Sequence, residues 1–453
     1  MTQNMDNKSL LFLFVTTLYF QSSRQNAVDS LISSTVIPTT YVENDNLGAT
    51  NIEDNSIPNA INNFGFNLLV KMMKERENEN IVISPIGVAG LLAMTLLGSV
   101  GMTHDEIAET LGFSQDILQN RKNHEQFGGL LQSLNKNDFS KTLYADAIFV
   151  DNQVKLRELY RTYLHGVYGG DVLRTDFQET EESKNSINEW VSKHTEGNID
   201  EFLKDSLPPH TKVVLLTALY FSGRWKQPFA PQFTRKMEFK RVTDEVMADM
   251  MLNFGEFRYK VSEEHDFHMI ALPYNDSETV MYALKPISHK QLTLLDLMEK
   301  INNKVIDDTI NEMDVKNCVI RFPKMKIKST TKLEGTLQSI GLQSMFIPGK
   351  ANFALMVNHT DQLTNKPKEQ SDKHVENTNI LDNLPNPGIH VDSIIHDVKL
   401  TINEFGTEAV AATSGTLTRS AETFYADSPF YIFIRNERTK LVTFSAVIFD
   451  PTK

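Results

Sequence analysis

One large α+β domain behind an N-terminal extension is predicted, on three observations. Apolar residues recur at helical spacing in some stretches, as at Phe64, Leu68 and Met72. Elsewhere they form strand-like runs, of which Val213 to Phe221 is nearly continuous and suits a strand buried on both faces. The 453 residues contain a single cysteine, Cys318, so no intrachain disulfide is possible and burial of a large core must hold the fold. Cys318 borders the strand-like Val319-Ile320-Arg321-Phe322 and is expected to be a structural thiol. A net charge of -13 argues against nucleic acid as a partner and leaves no polybasic patch for a membrane.

In chain order, Lys8 precedes an apolar run from Leu10 to Phe20, followed by Gln21, Ser22, Ser23 and Arg24. The run is too short to cross a bilayer and suits the core of a signal peptide. Residues 1–23 are expected to be a secretory leader, with the mature protein extracellular. Residues 24–60 are polar, rich in Asn, Ser and Thr, and lack an apolar period, which predicts a flexible extension.

Order is expected from Ile61 in a first helix. Asn80 to Ser84 reads as a short strand stopped by Pro85, and an apolar helix follows from Ile86 to Leu97. Thr103 and Glu106 have the spacing of a capping box for the next helix. Strand alternation runs from Ala145 to Asp151. Ser183 to His194 is an amphipathic helix on Ile187, Trp190 and Val191, closed by Gly197. Phe322-Pro323-Lys324 precedes a strand, and Leu333 to Leu342 reads as a helix ending at Gly341. Two core strands, 429–434 and 443–449, close the chain.

Residues 358–388 interrupt this pattern, being polar, Asn- and Lys-rich and carrying three prolines. They are expected to be a disordered insertion. Asn358-His359-Thr360 is a glycosylation sequon, as is Asn275-Asp276-Ser277.

The stretch from Glu404 to Ser428 is unlike a core element. Between Gly406 and Gly415 nothing exceeds Val410 in size except Glu408, and there is no proline. Helix propensity in Glu-Ala-Val-Ala-Ala competes with the extended preference of the threonines and flanking glycines. At a period of two, Thr407, Ala409, Ala411 and Thr413 share a face small enough to slide beneath packed side chains.

Several of these segments resemble the serpin family. Glu404-Phe405-Gly406-Thr407-Glu408-Ala409 is similar to its hinge, the alanine run to that of inhibitory members, and Asn80 to Thr103 to the opening of the fold. Gly223-Arg224-Trp225-Lys226-Gln227-Pro228-Phe229 resembles a signature at the top of its central sheet. Phe424-Tyr425-Ala426-Asp427-Ser428-Pro429-Phe430 is closer to arthropod members than to vertebrate ones. The resemblance covers residues 61–453. It implies a large central, mostly antiparallel sheet with further sheets and about eight to nine helices, and an exposed reactive-centre loop, 404–428. A target protease would cleave that loop, which would then insert as a new strand. It also implies that Trp225 packs where insertion starts, that Glu404 pairs with Lys324, and that Ser84, Gly87, Thr217 and His396 form the polar cluster where the sheet opens. Gly87 stands where the family has serine and Thr217 where it has asparagine, which predicts two hydrogen-bond partners missing or shortened, each worth roughly 0.5–1.5 kcal/mol.

Rival classes fare less well. No GxSxG elbow, P-loop or GxGxxG is present, and no HExxH or paired CxxC, so neither an enzyme nor a metal or other cofactor is expected. Arg121 and Lys122 are followed by Asn, His, Glu and Gln, so no polyanion activation is expected there, and the protein is expected to be a monomer. A non-inhibitory carrier or chaperone would share the fold, and a plain protease substrate would share the loop. Neither needs a small, uncharged, proline-free inserting face. For the cleaved bond, the family's usual loop length counted from Glu404 gives a cut after Ser420. The chemistry favours Arg419-Ser420, because a guanidinium suits the acidic pocket of a trypsin-like serine protease.

Overall fold

A computed structural model describes residues 56–134, 140–288, 292–358, 384–406 and 421–453. The expected leader, most of the extension and the greater part of the insertion lie outside these residues. So do Thr407, Ala409, Ala411, Thr413, Arg419 and Ser420.

The first helix, α1 (Ser56–Glu75), starts ahead of the Ile61 expected, with Ile57 and Pro58 already buried. A proline in the first turn lacks only an N–H that has no partner within the helix. Residues 56–60 therefore belong to the helix and not to the extension. Strand β1 (Ile81–Ile83) leads into α2 (Pro85–Leu97), every residue of which is buried, as suits a helix apolar on all sides. Helix α3 (Gly101–Leu111) is capped by Val100 without a side-chain bond, so the expected capping box is not formed. Thr103 and Glu106 lie inside the helix and serve tertiary contacts instead. Thr103 Oγ1 accepts from the Asn352 N–H at 3.1 Å, and Glu106 Oε2 accepts from the Gln343 and Ser344 N–H groups at 2.9 and 2.7 Å.

Next come α4 (Ile117–Ser133), β2 (Ser140–Asp151), α5 (Glu158–Tyr168), β3 (Asp171–Thr175), α6 (Thr180–His194) and β4 (Val213–Gly223). Strands β5 (Arg235–Lys240), β6 (Glu245–Ser262), β7 (Phe267–Pro273) and β8 (Thr279–Pro286) form a meander. Helices α7 (Leu294–Lys300) and α8 (Asn303–Asn311) precede β9 (Asp314–Pro323) and β10 (Met325–Lys332). Helix α9 (Glu334–Ser339) is shorter than the 333–342 expected, the chain turning at Gly341 with φ +115°. The last strands are β11 (Ser393–Ile402), β12 (Glu422–Tyr425), β13 (Phe430–Asn436) and β14 (Val442–Ile448).

Two sheets result. A nine-stranded sheet runs β1-β14-β13-β8-β7-β6-β9-β12 with β5 beside β6, and every pair but β12/β9 is antiparallel. A five-stranded sheet runs β10-β11-β4-β2-β3 and is mixed: β11/β4 and β2/β3 are parallel, the other two pairs antiparallel. One face of this smaller sheet joins the main core, with Leu215, Leu219 and Val398 packed near α2. The other face, through Ala147, Leu216 and Ile395, packs on Ile187 and Val191 of α6. Cys318 is a buried free thiol, raised to about 11 by burial first and by Glu422.

Candidate functional site

The chain leaves the five-stranded sheet at the end of β11 and is pinned at once. Asn403 and Gly406 exchange backbone bonds of 2.9 and 3.2 Å, which closes a tight turn. The Trp225 N–H donates to Phe405 O at 3.0 Å and the Phe229 N–H to Glu404 O at 2.7 Å. Trp225 Nε1 donates to Asn403 O at 3.0 Å while its ring stacks on Tyr274, centroids 4.4 Å apart. Gly406 has φ +117°, and a Cβ there would lie 2.1 Å from Gly223 O, so only glycine fits under the strand end.

Glu404 is buried at this turn. Its Oε2 lies 3.0 Å from Lys324 Nζ, and its Oε1 accepts from Thr234 Oγ1 at 2.8 Å. Burial pushes the carboxyl up, but its own backbone N–H together with Lys324 and Thr234 more than offsets this, and it sits below its usual range. The structure therefore brings together Trp225, Lys324, Glu404 and Gly406, far apart in sequence, at one corner of the sheet.

A second cluster lies at mid-sheet, where β4 and β11 meet in parallel from Ser393↔Val214 to Lys399↔Tyr220. The Ser84 N–H donates to His396 Nε2 at 2.9 Å, and Ser84 Oγ donates to Thr443 O at 2.7 Å. The same hydroxyl accepts from the Gly87 N–H at 3.2 Å, capping α2. Burial lowers His396 to about 3, the Thr217 backbone opposing, so the ring is neutral. Gly87 leaves no gap: a Cβ there would lie 2.5 Å from Leu219 Cδ1 and 2.6 Å from Thr217 Oγ1. The space expected to be missing a hydroxyl is thus filled by the neighbouring strand. Asp146, which the sequence reading passed over, completes the row beside Thr217. Its only signal in sequence was an acid amid the apolar alternation of β2.

Beyond the turn, the far leg of the loop is fastened to the nine-stranded sheet. Its residues 422–425, expected to be loop, form β12, paired in parallel with β9. Buried Lys285 donates to Tyr425 O at 2.7 Å and to Asp427 Oδ1 at 2.9 Å. Arg321 lies 4.3 Å from the Tyr425 ring centroid and 3.8 Å from Asp427 Oδ2. Elsewhere, Arg121 of α4 pairs with Glu125 at 3.0 Å in an exposed i,i+4 contact. Of the two sequon asparagines, Asn275 is exposed in the β7–β8 turn and Asn358 is half-buried.

Residues 59–451 match a family model described as serpin (serine protease inhibitor). Serine protease inhibitor 28Dc of Drosophila melanogaster is 27% identical over 432 residues, which is 87% of this chain and 79% of that protein. Among solved structures, native protease nexin-1 with heparin matches with TM-score 0.72 at 27% identity, covering 87% of this chain and 99% of that one. Thyroxine-binding globulin in complex with thyroxine matches with TM-score 0.75 at 23% identity, covering 87% and 99%.

Proposed function

We propose that this chain, which belongs to the serpin family, is a secreted inhibitor that traps a trypsin-like serine protease covalently. The observation that carries the reading is the parallel β4/β11 seam, with the loop leaving the end of β11 through a glycine turn. A segment folding back at Gly406 would run antiparallel to both neighbours, so two antiparallel ladders would replace one parallel ladder. An inserted strand of about ten residues would gain on the order of ten backbone hydrogen bonds, roughly 5–15 kcal/mol before packing. While the loop is intact, the turn at 403–406 holds one end and β12 the other, and that free energy stays out of reach.

In the proposed reaction the protease serine Oγ attacks the Arg419 carbonyl carbon. An ester forms, the peptide bond to Ser420 breaks, and the new amino terminus leaves with the proton carried by the protease histidine. The freed segment then inserts from Gly406 with Thr407, Ala409, Ala411 and Thr413 on the buried face. The ester-linked protease is carried along, and water cannot complete hydrolysis if insertion is faster than deacylation.

The test is incubation with a panel of trypsin-like and chymotrypsin-like proteases followed by denaturing electrophoresis. An SDS-resistant band at the summed mass with trypsin-like enzymes supports the reading. Two cleavage fragments with active protease recovered would instead make the chain a substrate or a carrier on the same fold.

A further inference from the structure

Asp146 is a buried carboxyl that loop insertion leaves unused. It lies opposite Thr217 across β2/β4, and Thr217 lies opposite His396 across β4/β11, so the three side chains cross three strands at one level. Glycines bring α2 down onto this row: a Cβ at Gly87 would lie 2.6 Å from Thr217 Oγ1, and one at Gly90 would lie 2.8 Å from Asp146 Oδ2. The row is loosely bonded: Asp146 Oδ1, Thr217 Oγ1 and His396 Nδ1 meet no partner at full hydrogen-bond geometry among the described residues, although Thr217 still acts weakly on the Asp146 carboxyl through its hydroxyl and on the His396 ring through its backbone.

Burial pushes the Asp146 carboxyl up to about 7, the Thr217 hydroxyl offsetting only part of the push. Among the described residues, no basic group acts on it. Helix α2 carries no ionisable side chain, and Gly128 to Ser133, the end of α4 that reaches Gly90 through Leu131, carries none. Gly170, before β3, offers no side chain. On β2 itself Tyr144 is raised, by burial first and then by Asp146, and beyond Thr217 the His396 ring is neutral. His396 ties β11 to the start of α2 through the Ser84 N–H. If β4 parted from β11 while that bond held, the block of β4, β2 and β3 would shift over α2 and carry Asp146 off Gly90.

We propose that Asp146 is a proton-dependent positioning residue of the sheet. As a neutral acid it donates toward Thr217 and seats β2 and β4 on α2; as a carboxylate without a counter-charge it favours release of that block, so opening quickens as pH rises through neutrality. The effect on insertion rests on the proposed function, whereas the effect on stability does not. Because the folded value lies above that of an unfolded aspartate, near about 4, the closed form is favoured most at acid pH and loses that advantage as pH rises to about 7.

The experiment melts the intact full-length protein and Asp146→Asn from about pH 5.5 to 8.5. The variant's melting temperature is expected to gain on the wild type by several degrees across that range, a difference that cancels the other titrating groups. Annealing of a synthetic peptide of residues 407–418 is expected to quicken about tenfold over the same range in the wild type, and to stay level in Asp146→Asn. Parallel melting profiles, or annealing profiles that do not separate, overturn the assignment. If Asp146→Asn fails to fold, infrared difference spectra of the wild type decide: loss of a neutral-carboxyl band between those pH values supports it, and no change refutes it. Absence of a covalent protease complex would count against the proposed function alone, since neither melting nor spectra need a protease.

Discussion

At Glu404 burial and pairing oppose each other, and pairing prevails. Lys324 is half exposed, and an exposed pair alone contributes about 0–1 kcal/mol, but the carboxylate also accepts from Thr234 in a buried setting. Glu404→Lys would set two ammonium groups together at the loop turn. It is expected to raise the yield of polymer on mild heating, read on native gels; unchanged yield would mean that the pair is only a surface contact. The pH dependence has a definite sign. With its folded value lowered, Glu404 stabilises the turn above the ordinary carboxylate value of about 4.3, and the contribution disappears as pH falls through the lower folded value. Glu404→Gln should flatten that part of the acid unfolding curve. Gly406 was legible as a hinge through the resemblance of Glu404-Phe405-Gly406-Thr407-Glu408-Ala409 to that of the serpins. The sequence could not make Asp146 legible, because whether an acid in a strand is solvated or sealed under a helix depends on Gly90, distant in sequence.

At the scale of elements, the helices and strands with strong periods were readable, while their ends followed tertiary partners. Thr103 and Glu106 have the spacing of a cap but spend their hydrogen bonds on the 343–352 segment. The four-residue β12 has too little pattern of its own and exists because β9 offers an edge. Its anchor gives a prediction. Asp427→Ala would leave the Lys285 ammonium buried without its carboxylate, a loss of about 3–5 kcal/mol, whereas Lys285→Met leaves Asp427 beside Arg321 and should cost less. Urea midpoints of the two variants check this, and equal losses would show that the ion pair is not what holds β12. On the other leg, Thr407→Arg would bury an unpaired charge and Ala409→Pro would remove a ladder donor. Both are expected to turn inhibition into plain cleavage, and full complex yield in either would exclude insertion of that face.

For the whole molecule, the five-stranded sheet has its β4/β11 ladder closed in parallel, the form that would precede the proposed insertion. Cutting the loop should therefore raise the protein's melting temperature markedly, because roughly 5–15 kcal/mol of ladder becomes available. In the proposed reaction, the bond cut would follow from charge more than from length. The sequence separates Gly406 from Glu422 by a run whose length can vary, whereas a trypsin-like pocket requires a cation, and Arg419 is the cation in that run. Arg419→Ala is expected to abolish inhibition of trypsin-like proteases and to leave the melting temperature of the uncut protein unchanged. Mass spectrometry of the released C-terminal peptide reads the position directly: a peptide beginning at Ser420 supports the bond, and one beginning at Thr418 or Ala421 refutes it.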